Sequence, residues 1–174
     1  MSNAASALPR LVIEHVTPAL DSGRYPVKRA LGDTIRVEAD IFKDGHDEIA
    51  GQLLFRHTTR RDWQRIPLTY QFDPDRWHAL FKVDQLGVWQ YAIEAWPDKY
   101  GTWVRDLGKR LSAGQNVLPA LAEGCALLQL CAKHRAQDIA ARLLAASQRM
   151  ADASLRLDER LAVAQSPEVR ALVY

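Results

Sequence analysis

The stretch Asp44-Gly45-His46-Asp47 sets two carboxylates either side of an imidazole on a glycine turn. Such a group orients a sugar hydroxyl or accepts a proton, and a small hydrolase built on Asp44, His46 and Asp47 is one reading. Retaining glycosyl transfer, however, needs two opposed carboxyls about 5 Å apart across the sugar, and inversion needs a wider gap. Residues of a single turn do not face each other across a substrate. The ordinary reading is a β-turn in which Asp44 and Gly45 supply the dihedrals and His46 is exposed. A second cluster, Arg24, Lys28 and Arg29 around Tyr25 and Pro26, offers cations for a phosphate. No glycine-rich loop opens a helix there, so it is not a P-loop. A docking edge or a salt-bridged surface fits it better.

Other chemistry finds little support. His15, His46, His57, His78 and His134 lie on different expected elements, without HxH or HExxH spacing, so no metal site is expected. Cys125 and Cys131, six residues apart, match neither a CxxC redox pair nor a zinc spacing. They read as small buried hydrophobes, and reduced thiols fit a cytoplasmic protein. There is no GxSxG elbow, and no histidine is aligned with either cysteine by helical spacing. No cofactor and no catalytic residue are expected, and this chain alone is not expected to be an enzyme.

The elements that position these residues fall into two halves. In Thr34-Ile-Arg-Val-Glu-Ala-Asp-Ile41 the apolar period is two, with Ile35, Val37, Ala39 and Ile41 on one face. The same period runs through Ile49, Leu53 and Phe55; through Ile66, Leu68, Tyr70 and Phe72; through Trp77, Ala79, Phe81 and Val83; and through Trp89, Tyr91 and Ile93. Shorter strands are expected in "RLVIEHV" from Arg10 and in "TWVRD" from Thr102. Turn-forming residues such as Asp73-Pro74-Asp75 separate these runs. Closely spaced strands without intervening helices predict an antiparallel β-sandwich of immunoglobulin-like type, held by packing without a disulfide.

After Gly114 the period becomes helical, through Leu118, Leu121, Cys125, Leu128 and Cys131, then Ile139, Leu143, Ser147 and Met150. Pro119 belongs in a first turn, so this helix is expected to begin near Asn116–Leu118. Gly124 weakens it unless a close helix contact uses the space. A third helix follows in "SLRLDERLAVA", with Ser154 as N-cap, and "SP" at Ser166-Pro167 stops it. The expected organisation is a disordered tail at residues 1–9, where Ser-Asn-Ala looks like an expression-vector remnant. Then come a sandwich at 10–114, a helical insert at 115–166 and a strand at 167–174 returning to the sandwich.

Size and charge limit the function classes. One ordinary domain's worth of chain, 174 residues, buries a real core. A formal charge of +2 gives no bulk attraction to nucleic acid or an anionic membrane. No apolar run approaches the roughly 20 residues of a membrane span, and no signal peptide is visible.

The segments "RLVIEHVTPALDSGRYPVKRALGDTIRVEADIFKDGHDEIAGQLLFR" and "DRWHALFKVDQLGVWQYAIEAWPDKYGTWVRD" resemble the N-terminal region of the α-1,4-glucan:maltose-1-phosphate maltosyltransferases. GRYPVKR, DGHD, DRW and EAWxDxxxTW occur in register, and the similarity runs from about Arg10 to the end. The resemblance implies a β-sandwich with a helical insert ahead of an α-amylase-like (β/α)₈ barrel. It also implies a homodimeric enzyme of glycogen or α-glucan biosynthesis. The nucleophilic aspartate and acid/base glutamate of that family lie in the barrel, beyond Tyr174, so none is carried over. The implied job of this region is assembly, its partners being the barrel and a second subunit. A free-standing module that binds α-glucan is the rival.

Four of the five tryptophans fall between Asp75 and Asp106. Trp89, Tyr91 and Ile93 share a face expected to be buried, as do Trp77 and Phe81. Trp96 has the opposite parity and Trp103 follows a glycine turn, so Trp96, Tyr100 and Trp103 are the rings expected to face a partner domain or a glucan. Arg24, Lys28, Arg29, Asp44, His46 and Asp47 are the candidate interface or substrate-side contacts.

Overall fold

Alternating burial in β2 (Thr34–Lys43) organises the first half of the fold. Ile35, Val37, Ala39 and Ile41 are all buried, while Arg36, Glu38 and Asp40 point the other way. The computed structural model describes residues 11–174; the expected tail and Arg10 lie outside the described residues. Strands β1 (Leu11–Thr17), β2, β5 (Thr69–Gln71) and β6 (Arg76–Lys82) form one sheet in the order β1-β2-β6-β5. A second sheet has the order β4-β3-β7, from β3 (Glu48–His57), β4 (Gln64–Pro67) and β7 (Trp89–Asp98). β2 pairs antiparallel with β6, placing Val37 opposite Ala79. Leu53, Phe55 and the half-buried Trp89, Tyr91 and Ile93 of the second sheet pack with Val37 and Phe81 of the first into one core. This is the expected sandwich.

One expected strand divides. "RIPLTYQF" crosses between the sheets: β4 ends at Pro67, Leu68 is buried with its N–H bonded to the Gly51 carbonyl at 2.9 Å, and β5 begins at Thr69. Proline cannot donate to a ladder, which suits it to the point where pairing changes hands. Beyond the crossover Tyr70 is 45% and Phe72 85% exposed, so neither has the full burial that a single strand would give.

The second compact unit runs from Asp98 to Tyr174, and the first ends at Pro97. It holds α1 (Lys99–Ser112), α2 (Leu118–Ala132), α3 (Gln137–Ala151), α4 (Leu157–Ala164) and α5 (Pro167–Val173) around a separate core. Two expectations are corrected here. "TWVRD" is the middle of α1, so the helices begin at residue 99 instead of 115. The terminal segment is helix α5: Pro167 opens a helix, with the Ser166 hydroxyl accepting from the Val169 N–H, and does not merely stop the one before it. The cause at α1 is Asp98, 1% exposed, whose Oδ1 accepts from the Gly101 N–H at 2.6 Å and caps the helix. Its Oδ2 meets Arg170 of α5 at 3.3 Å. A Cβ on Gly101 would lie 2.1 Å from Asp98 Oδ2, so glycine is what admits the cap.

The start of α2 at Leu118, with Pro119 in its first turn, matches the expectation. α4 starts later than expected. Arg156 is its N-cap, and Ser154 instead donates its hydroxyl to Asp152 at 2.7 Å. Both cysteines are free thiols, Cys125 buried and Cys131 half-buried. Among the described residues, no helix is long and apolar enough to cross a membrane.

Candidate functional site

The DGHD stretch is the turn that carries the chain from β2 in the first sheet to β3 in the second, and Gly45 has a φ of +90°, a region that glycine adopts without a Cβ penalty. Asp44, His46 and Asp47 are all exposed. Of the three, Asp47 is ion-paired, to Lys43 Nζ at 3.0 Å. The Lys43 side chain is only 3% exposed, tucked under the turn. The turn therefore matches the ordinary reading and holds a buried ammonium that sequence spacing did not reveal.

Arg24, Lys28 and Arg29 are exposed on the chain between β1 and β2. Arg24 lies 3.8 Å from Asp21 and stacks over Tyr25 at 5.4 Å; Arg29 donates to the Lys28 carbonyl at 2.8 Å. Leu20, Tyr25 and Leu31 of the same segment are each at least half exposed, at 50%, 53% and 55%. The cluster is a mixed basic and apolar surface.

The aromatic assignment is corrected in part. Tyr100 and Trp103 are 2% and 5% exposed, in the core of the helical unit. Their rings pack at 5.2 Å, the Tyr100 hydroxyl donates to the Ala164 carbonyl at 2.9 Å, and Trp103 Nε1 donates to the Ala120 carbonyl at 2.8 Å. Burial raises the Tyr100 phenol well above its ordinary pKa. Helix α1, which turns both rings inward, stands where a strand was expected at Trp103. Trp96 is half-buried on β7. Trp89 stacks near Phe55 and Phe81, at 6.4 and 5.9 Å, so the other rings of this region are packing. His57, 3% exposed, is satisfied by Thr59 Oγ1 at 2.7 Å and the Leu86 carbonyl at 3.2 Å.

Two features escaped the sequence. The first is a charged network on the outer face of the first sheet. His15, at the bulge of β1 with a φ of +50°, places Nδ1 2.6 Å from Asp40 Oδ2. Arg76 Nε donates to Asp40 Oδ1 at 2.9 Å and Arg76 also reaches Glu38. The hydrogen bond with His15, then the Arg76 charge, holds the Asp40 carboxyl below its ordinary value. A depressed native pKa stabilises the fold fully above the ordinary aspartate value of about 3.9, and the contribution fades as pH falls through the native value. Asp40→Asn is thus expected to lower the melting temperature at neutral pH, with the deficit closing in acid. A deficit that is constant or grows towards low pH contradicts this.

The second is a cleft of about 340 Å³ beside the β2–β3 turn, lined by Lys43, Asp47, Glu48, Tyr70, Asp75 and Trp77 among others. The Tyr70 and Trp77 rings lie 5.3 Å apart, tilted by 50°. Asp75, at φ +64°, accepts from the Tyr70 hydroxyl at 2.7 Å, which raises the phenol pKa. The signal in the sequence was Asp73-Pro74-Asp75, since aspartate tolerates the left-handed region better than most residues. Among the described residues, no group of three or more His, Cys, Asp or Glu side chains is placed to hold a metal ion.

Comparison with known proteins gives the family. Residues 9–174 match the family model described as alpha-1,4-glucan:maltose-1-phosphate maltosyltransferase, domain N/S. The chain belongs to this family. It is 43% identical over 129 residues to the maltosyltransferase of Chlorobaculum tepidum, covering 74% of this chain and 19% of that protein. To that of Myxococcus xanthus it is 40% identical over 126 residues, 70% of this chain and 19% of the relative. To maltosyltransferase 2 of Streptomyces coelicolor it is 31% identical over 177 residues, 98% of this chain and 26% of the relative. The N/S region described here thus corresponds to about a fifth to a quarter of each relative's length.

Proposed function

We propose that this chain is the non-catalytic, assembly-promoting part of a maltosyltransferase that extends α-1,4-glucans from maltose 1-phosphate. Bond making belongs to a catalytic barrel C-terminal to it in the complete protein. The observation that carries the reading is the family match over residues 9–174 combined with coverage of only 19–26% of the relatives.

The surface supports an assembly role. Of the fifteen residues of α2 only Glu123 is charged, so the helix is apolar around most of its circumference. Its buried side carries Leu121, Cys125 and Leu128. The opposite side exposes Leu118, Ala122, Ala126 and Leu130 at intervals of four, and Leu118 and Leu130 are each 50% exposed. A helix apolar all round is the pattern of one covered on both sides. The second copy of the chain is the occupant proposed for this face. The Arg24–Arg29 surface, with Leu20, Tyr25 and Leu31 beside it, is proposed to contact the barrel or the second subunit.

Sedimentation equilibrium of the complete gene product tests the reading. A dimer is expected, and Leu118→Glu combined with Leu130→Glu is expected to shift it to monomer at least tenfold more readily, a change of about 1.4 kcal/mol. A monomeric parent overturns the assembly role, and a frame that stops at Tyr174 overturns the parent enzyme itself. A dimer indifferent to both substitutions moves the interface away from α2.

A further inference from the structure

We propose that the cleft beside the β2–β3 turn is a binding site for a neutral, polyhydroxylated ligand, and specifically for a segment of α-glucan chain. The choice of α-glucan rests on the maltosyltransferase reading; the chemistry of the cleft stands on its geometry. The cleft is shallow and open to solvent, about 340 Å³ in volume, the shape of a groove along which a chain lies and not of an enclosed small-molecule pocket. Tyr70 and Trp77 supply two rings 5.3 Å apart, with Tyr70 45% exposed. Apolar ring faces beside hydrogen-bonding groups match the alternation of C–H faces and hydroxyls on a sugar.

Two pairs of polar groups already interact across the cleft wall. Lys43 is held by Asp47 at 3.0 Å, with a side chain 3% exposed, and Asp75 by the Tyr70 hydroxyl at 2.7 Å. An ionised carboxylate accepts more than one hydrogen bond, so Asp47 and Asp75 keep capacity for sugar hydroxyls after these contacts.

Charge selects the occupant. Asp47, Glu48 and Asp75 place three carboxylates around the cleft, against the Lys43 ammonium. That balance repels a phosphate and tolerates a neutral glucan, so this is a site for the polymer and not for a phosphorylated donor. The expected aromatics Tyr100 and Trp103 are enclosed in the helical core and cannot serve, which moves any glucan contact of this chain to Tyr70 and Trp77.

Calorimetric titration of this 174-residue chain with maltoheptaose tests the proposal, with tryptophan fluorescence as a second readout. Saturable binding is expected. Tyr70→Ala and Asp75→Asn are each expected to weaken it about tenfold, while Phe72→Ala, next to the cleft strand but 85% exposed, leaves it unchanged. Asparagine tolerates the φ of residue 75, so that variant is expected to keep the parent's melting temperature. Maltose 1-phosphate is expected to bind more weakly than maltose. Absence of saturable binding, affinity unchanged in both cleft variants of parental stability, or preference for the phosphorylated sugar each overturns the proposal. None of these outcomes bears on dimerisation or on the downstream frame, so the assembly reading stands or falls separately.

Discussion

Val37→Asp is expected to unfold the sandwich. Val37 is 0% exposed, at the centre of β2, with Ala79 of β6 opposite it and Leu53 and Phe55 of the other sheet in the same core. An aspartate there loses the valine's burial, worth about 1.5–3 kcal/mol. It must also either bury an unpaired carboxylate, at several kcal/mol, or take up a proton to avoid doing so. Together these approach the whole stability of an ordinary domain, about 5–15 kcal/mol. Ile35→Asp, 5% exposed on the same face, is expected to act alike, whereas Arg36→Asp between them leaves the core untouched. Tryptophan fluorescence from Trp77 and Trp89 reports the loss, since both rings pack on this core. A Val37→Asp chain that melts with the parent would mean that β2 presents its other face inward.

The burial of Val37 is legible in the amino-acid sequence because β2 obeys a local rule. Ten residues alternate, one face is buried, and a shift by one residue would expose the whole apolar set. The start of α2 is equally legible, since Pro119 is tolerated only in a first turn. Sequence reasoning fails where local preference and tertiary context disagree. Thr102, Trp103 and Val104 are favourable strand residues, yet the Asp98 carboxylate caps a helix across them, and Trp103 finds its core among helices. The terminal "PEVRALVY" follows the same course: Val169, Leu172 and Val173, at intervals of three and four, line the helical core, and Ser166-Pro167 is a cap and first turn.

The candidate sites divide along the same line. A turn is local chemistry, so DGHD is readable as a turn, though not as one that carries the chain from one sheet to the other. The cleft is not, because Lys43, Asp47, Tyr70, Asp75 and Trp77 come from three strands, β2, β5 and β6, and from two turns. Only pairing of β5 with β6, which puts Tyr70 opposite Trp77, brings the two rings together. The burial of Lys43 is of the same kind, since a lysine beside a turn is ordinarily solvated.

Gly124→Ala is expected to destabilise the helical unit, against the helix propensity that favours alanine by about 1 kcal/mol. A Cβ on residue 124 would lie 2.1, 2.4 and 2.6 Å from Cζ2, Cη2 and Cε2 of Trp103. The indole has little freedom to retreat: it is 5% exposed, packed against Tyr100, and tied through Nε1 to the Ala120 carbonyl. Overpacking of this sort costs about 1–3 kcal/mol, which exceeds the propensity gain or at least cancels it. Trp103→Ala alone is expected to cost about 3–5 kcal/mol. The two changes are not additive, because they share one contact. With the indole gone, Gly124→Ala fills part of the space and gains its propensity, so its sign reverses and it stabilises. Urea titration of all four chains, followed by helical circular dichroism, measures the cycle. If Gly124→Ala has the same effect with and without the indole, the glycine is not there for Trp103, and the close packing of α1 on α2 is not what this position selects.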